Sequence, residues 1–366
     1  MMPDCPILQF GTSRFLQAHV DLFVAEAKAG PIAVVQTTNS PESIARIAGF
    51  RALRPYPVHL RGLRGGTPVD RTVAVDSVAV ALHADRDWAT VRRRFIAAQW
   101  IVSNTGDRGY EAHAGDGPDT LVPRGFPAKL TMLLHERWRA GAPGPTLMPC
   151  ELISGNGDVL RALVAGLAEA WGLPRAFRAW LRQECRWINA LVDRIVPTSL
   201  DPVGAIAEPY ALWAIEDQPG FVPPCTHSDI KVVADLAPYE RLKLYILNLG
   251  HTVLAERWRA TGRDGDETVL AAMGDPGMTA SLEEIYDAEV LPVFAALGLG
   301  PEAAAYRASV RDRFGNPTLR HRLADIFVNH AAKKQRRIGA FIILGEAALP
   351  SHAMPRLRRL LASEVS

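Results

Sequence analysis

The chain of 366 residues has only four cysteines, Cys5, Cys150, Cys185 and Cys225, far apart and without a CxxC pair. That excludes a small disulfide framework, and the thiols read as reduced in a cytoplasmic protein. No apolar run reaches the ~18 residues that a membrane helix needs. The start, MMPDCPILQFG, lacks a basic stretch ahead of a long apolar one, so neither a membrane span nor a secretory leader is expected. Charge of one sign is lacking too: 41 basic residues face 39 acidic ones, a net charge of +2. No polyanion, and so no nucleic acid, is an expected partner. There is no internal repeat, no HExxH and no cysteine cluster, and Cys225-Thr-His227 alone is too little for zinc. What is present is an ordinary globular composition, 48% hydrophobic and 22% charged. At ~150 residues per domain the length suggests two domains, and a small-molecule enzyme is the default reading.

The first half alternates two periodicities. Cys5-Pro-Ile-Leu-Gln-Phe stops at Gly11, an apolar stretch at helical spacing runs from Phe15 to Ala29, and Ile32-Ala-Val-Val-Gln-Thr-Thr follows. Strand, glycine turn, helix and strand within ~30 residues is the spacing of a βαβ unit. A β-like Thr72–Val80, a helix near Asp87–Ala98, a strand at Trp100–Thr105, a helix at Leu130–Arg139, a strand at Thr146–Leu152 and a helix at Gly157–Trp171 continue the pattern. Tyr210–Ile215 reads as one more strand, and helical patterns dominate beyond Asp229. The expected fold is an α/β N-terminal Rossmann-like domain with a parallel sheet, residues 1–203, followed by a mainly α-helical C-terminal domain, residues 204–366. Arg61-Gly-Leu-Arg-Gly-Gly reads as a loop rather than a phosphate cradle.

Two stretches carry chemistry. The turn Phe10-Gly-Thr-Ser-Arg-Phe has one glycine in place of the three of GxGxxG, so an ordinary strand-to-helix turn and a dinucleotide turn both fit it. An acidic residue at the end of the second strand would clasp a ribose 2′-hydroxyl, and Gln36-Thr-Thr-Asn stands there instead. The second stretch is Pro238-Tyr-Glu-Arg-Leu-Lys-Leu-Tyr-Ile-Leu-Asn-Leu-Gly-His-Thr-Val-Leu-Ala. At 3.6 residues per turn, Lys243, Asn248 and His251 lie at about 0°, 140° and 80°, with Glu240 at about 60° inside the same sector. The residues between them are almost all apolar, which places the polar set in or beside a cleft. There a lysine made less basic by burial can accept a proton, and an asparagine amide can donate to an oxygen gaining charge. A snorkelling lysine beside two hydrogen-bonded core polar residues fits the same pattern.

Lys243-x4-Asn248-x2-His251 on such a helix resembles the signature of the polyol-specific long-chain dehydrogenases, the mannitol dehydrogenase family. Further blocks resemble that family in the same order along nearly the whole chain. They are Gln9–His19, Val102–Tyr110, Phe126–Thr131, Leu191–Pro197, Ala207–Glu216 and Arg313-Phe-Gly-Asn-Pro. Cys150-Glu-Leu-Ile-Ser-Gly-Asn-Gly and Asn316-Pro-Thr-Leu-Arg-His are more similar to its tagaturonate reductase (altronate oxidoreductase) branch than to mannitol dehydrogenases. The chain is shorter than the family's usual length, in the middle of the first domain and at the C-terminus.

The resemblance implies a metal-free oxidoreductase using NAD, with NADP not excluded. Cofactor contacts would come from Gly11, Thr12, Ser13, Arg14, Phe15, Thr37, Asn104 and Thr105. Lys243 would be the base in alcohol oxidation and the acid in ketone reduction, with Asn248 and Asn156 polarising the reacting oxygen. His251 would hold a neighbouring substrate hydroxyl, Glu240 would pass protons to the lysine, and Arg313 and His321 would bind the substrate. The expected reaction interconverts a sugar acid or polyol with its ketose form, best matched by D-altronate and D-tagaturonate. A mannitol- or arabinitol-type dehydrogenase, a non-catalytic nucleotide-binding protein of the same fold, and a 6-phosphogluconate-type dehydrogenase are the competing readings. No arginine directly follows Thr37-Thr38-Asn39 to pair with a 2′-phosphate, which favours NAD.

Overall fold

A computed structural model describes residues 4–106 and 109–363. Residues group into two units: Met1–Leu60, Arg71–Ala207 and Ala211–Leu236 in the first, and Arg61–Asp70, Glu208–Tyr210 and Ala237–Ser366 in the second.

The strands, in chain order, are β1 (Ile7–Phe10), β2 (Ile32–Gln36), β3 (Tyr56–Arg64), β4 (Thr67–Val75), β5 (Val78–His83), β6 (Trp100–Ser103), β7 (Thr146–Pro149), β8 (Arg186–Trp187), β9 (Ala190–Asp193), β10 (Thr198–Ser199), β11 (Ala205–Ala207), β12 (Leu212–Glu216) and β13 (Ile230–Val233). Six of them form a sheet in the order β5-β2-β1-β6-β7-β8 with every pairing parallel. Renumbered within the sheet, that order is 3-2-1-4-5-6, the doubly wound dinucleotide-binding topology. Alternation along β1 shows how both faces are covered. Ile7 enters a core with Val20, Phe23 and Val34, and its neighbour Leu8 enters a second core with Val91, Leu130 and Leu160. The expected Rossmann-like domain is therefore present.

Three local differences have physical causes. The helix expected from Phe15 to Ala29 is two helices, Arg14–Gln17 and Val20–Glu26, broken at His19 (φ −126°, ψ −91°). The buried His19 ring bonds the Leu212 carbonyl at 3.0 Å, and the Gln17 amide donates to the Thr12 carbonyl at 2.9 Å, so side-chain bonds replace one turn. Arg61-Gly-Leu-Arg-Gly-Gly is not simply a loop: its first four residues end β3, and Gly65 and Gly66 (φ +60° and +74°) turn the chain into β4. Their consecutive N–H groups form an anion-binding concavity filled by the chain's own Asp312 carboxylate, at 2.6 and 3.0 Å. Finally, the expected division at 203/204 shifts to 236/237. β12 runs antiparallel to β9 and parallel to β13, a three-stranded sheet that keeps residues 211–236 with the first unit.

The second unit is mainly helical, as expected. One run passes through Ala237–Leu242, Lys243–Asn248 and Leu249–Ala260; others include Pro276–Ala296, Gly300–Phe314 and His330–Ala348. Asp275 caps Pro276–Ile285 through the amides of Gly277 and Met278, with proline at the first helical position. Helix Leu249–Ala260 buries nine of its twelve residues, so it is an interior helix. It packs in a core with Tyr286, Phe294, Phe314 and Phe341.

Candidate active site

In the first unit, strand order reverses between β1 and β6, and an open parallel sheet holds its ligand beyond the carboxyl ends of the strands at such a point. Two turns meet there. Gly11 has φ +115°, and a Cβ on it would lie 2.5 Å from the Asn104 carbonyl oxygen, so only glycine lets the turn after β1 pass the turn after β6. Ser13 caps Arg14–Gln17 by accepting from Leu16 N–H, and its hydroxyl donates to Asn104 Oδ1 at 3.4 Å. Asn104 in turn donates to the Cys150 carbonyl at 2.7 Å. Thr105 donates to Glu151 through both its N–H and its hydroxyl, each at 3.0 Å. Arg14 is exposed and Phe15 stacks on His19 at 4.7 Å. The family-like block Val102–Tyr110 is seen except for Asp107 and Arg108, which lie outside the described residues.

Two organising residues of this region were not singled out from the sequence. Gln36, at the end of β2, accepts from the Thr12 hydroxyl and donates to Thr38 and Ser43 at 2.6 and 3.1 Å. It spans the turn after β1 and the segment after β2, where Thr37 is half-buried. Glu151 is 4% exposed and accepts from Ser103, Thr105 and Tyr110, tying the end of β6 to the end of β7. Burial pushes its carboxyl pKa up. The signal for Glu151 was its place in the Cys150-Glu-Leu-Ile block; Gln36 showed only as an absent acid.

Asn156 also belongs to this unit, and its amide is fully engaged. Nδ2 donates to the carbonyls of Pro149, Glu151 and Ala190 at 3.1, 3.1 and 2.9 Å, and Oδ1 accepts from Ala190 N–H. The side chain is completely buried. An amide so committed fixes the β7 turn against β9 and keeps no donor in reserve for a substrate oxygen.

In the second unit, Glu240, Lys243, Asn248 and His251 share one continuous helix, the first three half-buried and His251 buried. Lys243–Asn248 is π-helical: Leu249 N–H reaches back five residues to the Leu244 carbonyl. An i→i+5 turn holds more residues than an α-turn, so Lys243 and Asn248 lie closer to one side than the ~140° of the α-count. The His251 ring packs on Phe314 at 4.6 Å and edge-on against His321 at 4.8 Å. Burial lowers the His321 pKa, opposed by Asp325, which favours the neutral ring that can both donate and accept.

Arg313 was expected to bind the substrate. Its carboxylate partner here is Glu208, with Nη2–Oε1 at 2.9 Å and Nε–Oε2 at 3.0 Å, both side chains almost wholly buried. Its guanidinium also lies 4.4 Å over the Tyr210 ring. Glu208 and Tyr210 come from the Ala207-Glu-Pro-Tyr block, so two family-like motifs meet in one ion pair. The basic run Lys333-Lys-Gln-Arg-Arg is partly interior. Lys334 is buried against Glu256 at 3.1 Å, and Arg337 donates to the Asn248 carbonyl at 3.2 Å. Among the described residues no group of three or more His, Cys, Asp or Glu side chains could hold a metal.

Comparison with known proteins agrees over nearly the whole chain. Residues 6–222 match the family model of the mannitol dehydrogenase Rossmann domain, and residues 235–347 that of the mannitol dehydrogenase C-terminal domain. An altronate oxidoreductase of Klebsiella pneumoniae subsp. pneumoniae is 33% identical over 98% of this chain and 79% of its own. One from Bacillus subtilis is 31% identical over 90% and 73%. Among solved structures, a D-sorbitol dehydrogenase aligns with a TM-score of 0.77 at 22% identity, covering 98% of this chain and 86% of its own. A Pseudomonas fluorescens mannitol 2-dehydrogenase, solved with NAD and D-mannitol, aligns at 0.70 with 17% identity, covering 98% and 84%. The chain belongs to the mannitol dehydrogenase family and is a dehydrogenase acting on CH–OH groups.

Proposed function

We propose that the protein interconverts a sugar acid and its keto form by hydride transfer with NAD, D-altronate and D-tagaturonate being the favoured pair. The observation that carries this reading is the single helix presenting Lys243, Asn248 and His251 across a π-turn. The altronate oxidoreductases at 31% and 33% identity support the choice of substrate.

The turn beyond β1 fits a dinucleotide: Gly11 is held in a conformation that needs glycine, at the sheet's switch point. Bound there, NAD supplies the acceptor for the hydride leaving the carbinol carbon. In oxidation the uncharged Lys243 amine takes the hydroxyl proton as the C–H bond breaks, and Glu240, one turn away, passes that proton outward. The Asn248 amide donates to the oxygen as it gains charge. His251, set by Phe314 and His321, holds a neighbouring hydroxyl and fixes which carbon is presented. Reduction runs the same steps backward, with protonated Lys243 as the acid. Asn156 is not needed for this scheme, since Asn248 supplies the donor.

A neutral polyol is the second reading, favoured by the engagement of Arg313 with Glu208. A panel of aldonates, hexitols and pentitols with NAD, followed by NADH absorbance, separates the two. Highest kcat/KM on D-altronate supports the sugar-acid reading; highest kcat/KM on mannitol or arabinitol replaces it.

A further inference from the structure

Among the described residues, three π-helical segments occur in the second unit, Lys243–Asn248, Tyr286–Val290 and Gln335–Gly339. A π-turn is rare and persists where its surroundings impose it. The latter two segments each send one side chain to the backbone of the first. The Tyr286 hydroxyl donates to the Ile246 carbonyl at 2.7 Å. It fills the space left by Gly250, where a Cβ would overlap the hydroxyl oxygen. Arg337 Nη1 donates to the Asn248 carbonyl at 3.2 Å and to Thr252 Oγ1 at 3.0 Å, while Thr252 itself donates to the Asn248 carbonyl at 3.0 Å. Both bonds land inside the segment that carries Lys243 and Asn248, and the second lands on Asn248 itself.

A backbone carbonyl held by a half-buried guanidinium and a hydroxyl cannot rotate without breaking both bonds, and its Cα–Cβ direction is fixed with it. Relaxing the π-turn to α-geometry would rotate Asn248 away from Lys243 by about a quarter of a turn. We propose that Arg337 and Tyr286 are positioning residues of the reaction. Through the Asn248 and Ile246 carbonyls they hold the π-turn that sets Asn248 and Lys243 on one reacting oxygen. This rests on the reading of Lys243 and Asn248 given above. It adds a role for two side chains 89 and 40 residues along the chain from the carbonyls they hold.

The test compares Arg337→Met, Arg337→Lys, Tyr286→Phe and Lys243→Met in the full chain, with D-altronate and NAD, or D-mannitol if the panel favours it. For each variant kcat, KM, the NADH dissociation constant, the melting temperature and the isotope effect of substrate deuterated at the carbinol carbon are measured. The expected result for Arg337→Met and Tyr286→Phe is a kcat lower by roughly 10- to 100-fold, the cost of a misplaced reacting group. KM and NADH binding should stay at wild-type values, and the isotope effect should rise. Arg337→Lys, which keeps one charged donor, should recover part of the rate and stands in if Arg337→Met does not fold. Wild-type kcat in Tyr286→Phe and in both Arg337 variants, with Lys243→Met inactive, overturns the positioning role alone. Loss of kcat only in proportion to loss of folded protein overturns it as well. An active Lys243→Met instead overturns the reading beneath it.

Discussion

Arg313 and Asp21 show how far one buried charge can reach. A guanidinium paired at 2.9 Å with Glu208, both side chains at or below 2% exposure, cannot be removed without stranding a buried carboxylate. Breaking such a pair costs about 3–5 kcal/mol. Arg313→Ala should therefore lower the melting temperature strongly and change KM for an aldonate and for the matching polyol alike. An unchanged melting temperature with a rise confined to the aldonate would instead return Arg313 to the substrate. Asp21 is wholly buried, and desolvation lifts its pKa to about 7 against the hydrogen bond from the Tyr56 hydroxyl at 2.8 Å. In the unfolded chain the group titrates near ~4. Between these values the folded state binds more protons than the unfolded one, so the stability present below pH ~4 is lost as pH rises through about 7. Asp21→Asn should match wild type near pH 4 and gain on it steadily up to pH ~7, read as melting temperature against pH. A difference independent of pH would mean that Asp21 is ionised in the fold throughout. Neither partnership was legible in the sequence: Glu208 lies 105 residues from Arg313, and nothing local to Asp21 marks it as buried.

At the scale of elements, what the sequence revealed depended on how strongly each segment's periodicity reflected burial. β1, β2, β6 and β7 are almost continuously buried and were plain as apolar runs. β4 is mostly exposed, and its pairing with β3 showed only as a turn-rich patch. The helix from Ala237 to Ala260 was clear, but its π-turn was not, because the positions between Lys243 and His251 are almost all apolar and an inserted residue leaves that pattern unchanged. β2 also carries the cofactor expectation. It ends in Gln36, whose side chain is spent on Thr12, Thr38 and Ser43, and no arginine follows within Thr37-Thr38-Asn39. NADH should bind more tightly than NADPH in a fluorescence titration, and the reverse order would contradict this account of the β2 end.

Across the whole molecule, the two units are built around separate cores, two in the first and one in the second. The first has the sheet order and glycine turn of a dinucleotide domain, and the second has the polar set on an interior helix. Family models cover both, so the assignment does not hang on either motif alone. The central claim is that Lys243 moves the proton of the reacting hydroxyl. Steady-state turnover of Lys243→Met, set beside its NADH affinity, tests it most directly. The account predicts a fall in kcat of ~10²–10⁴-fold with NADH binding and folding intact. A variant keeping more than about a third of wild-type kcat, under ~1 kcal/mol of barrier, would contradict it.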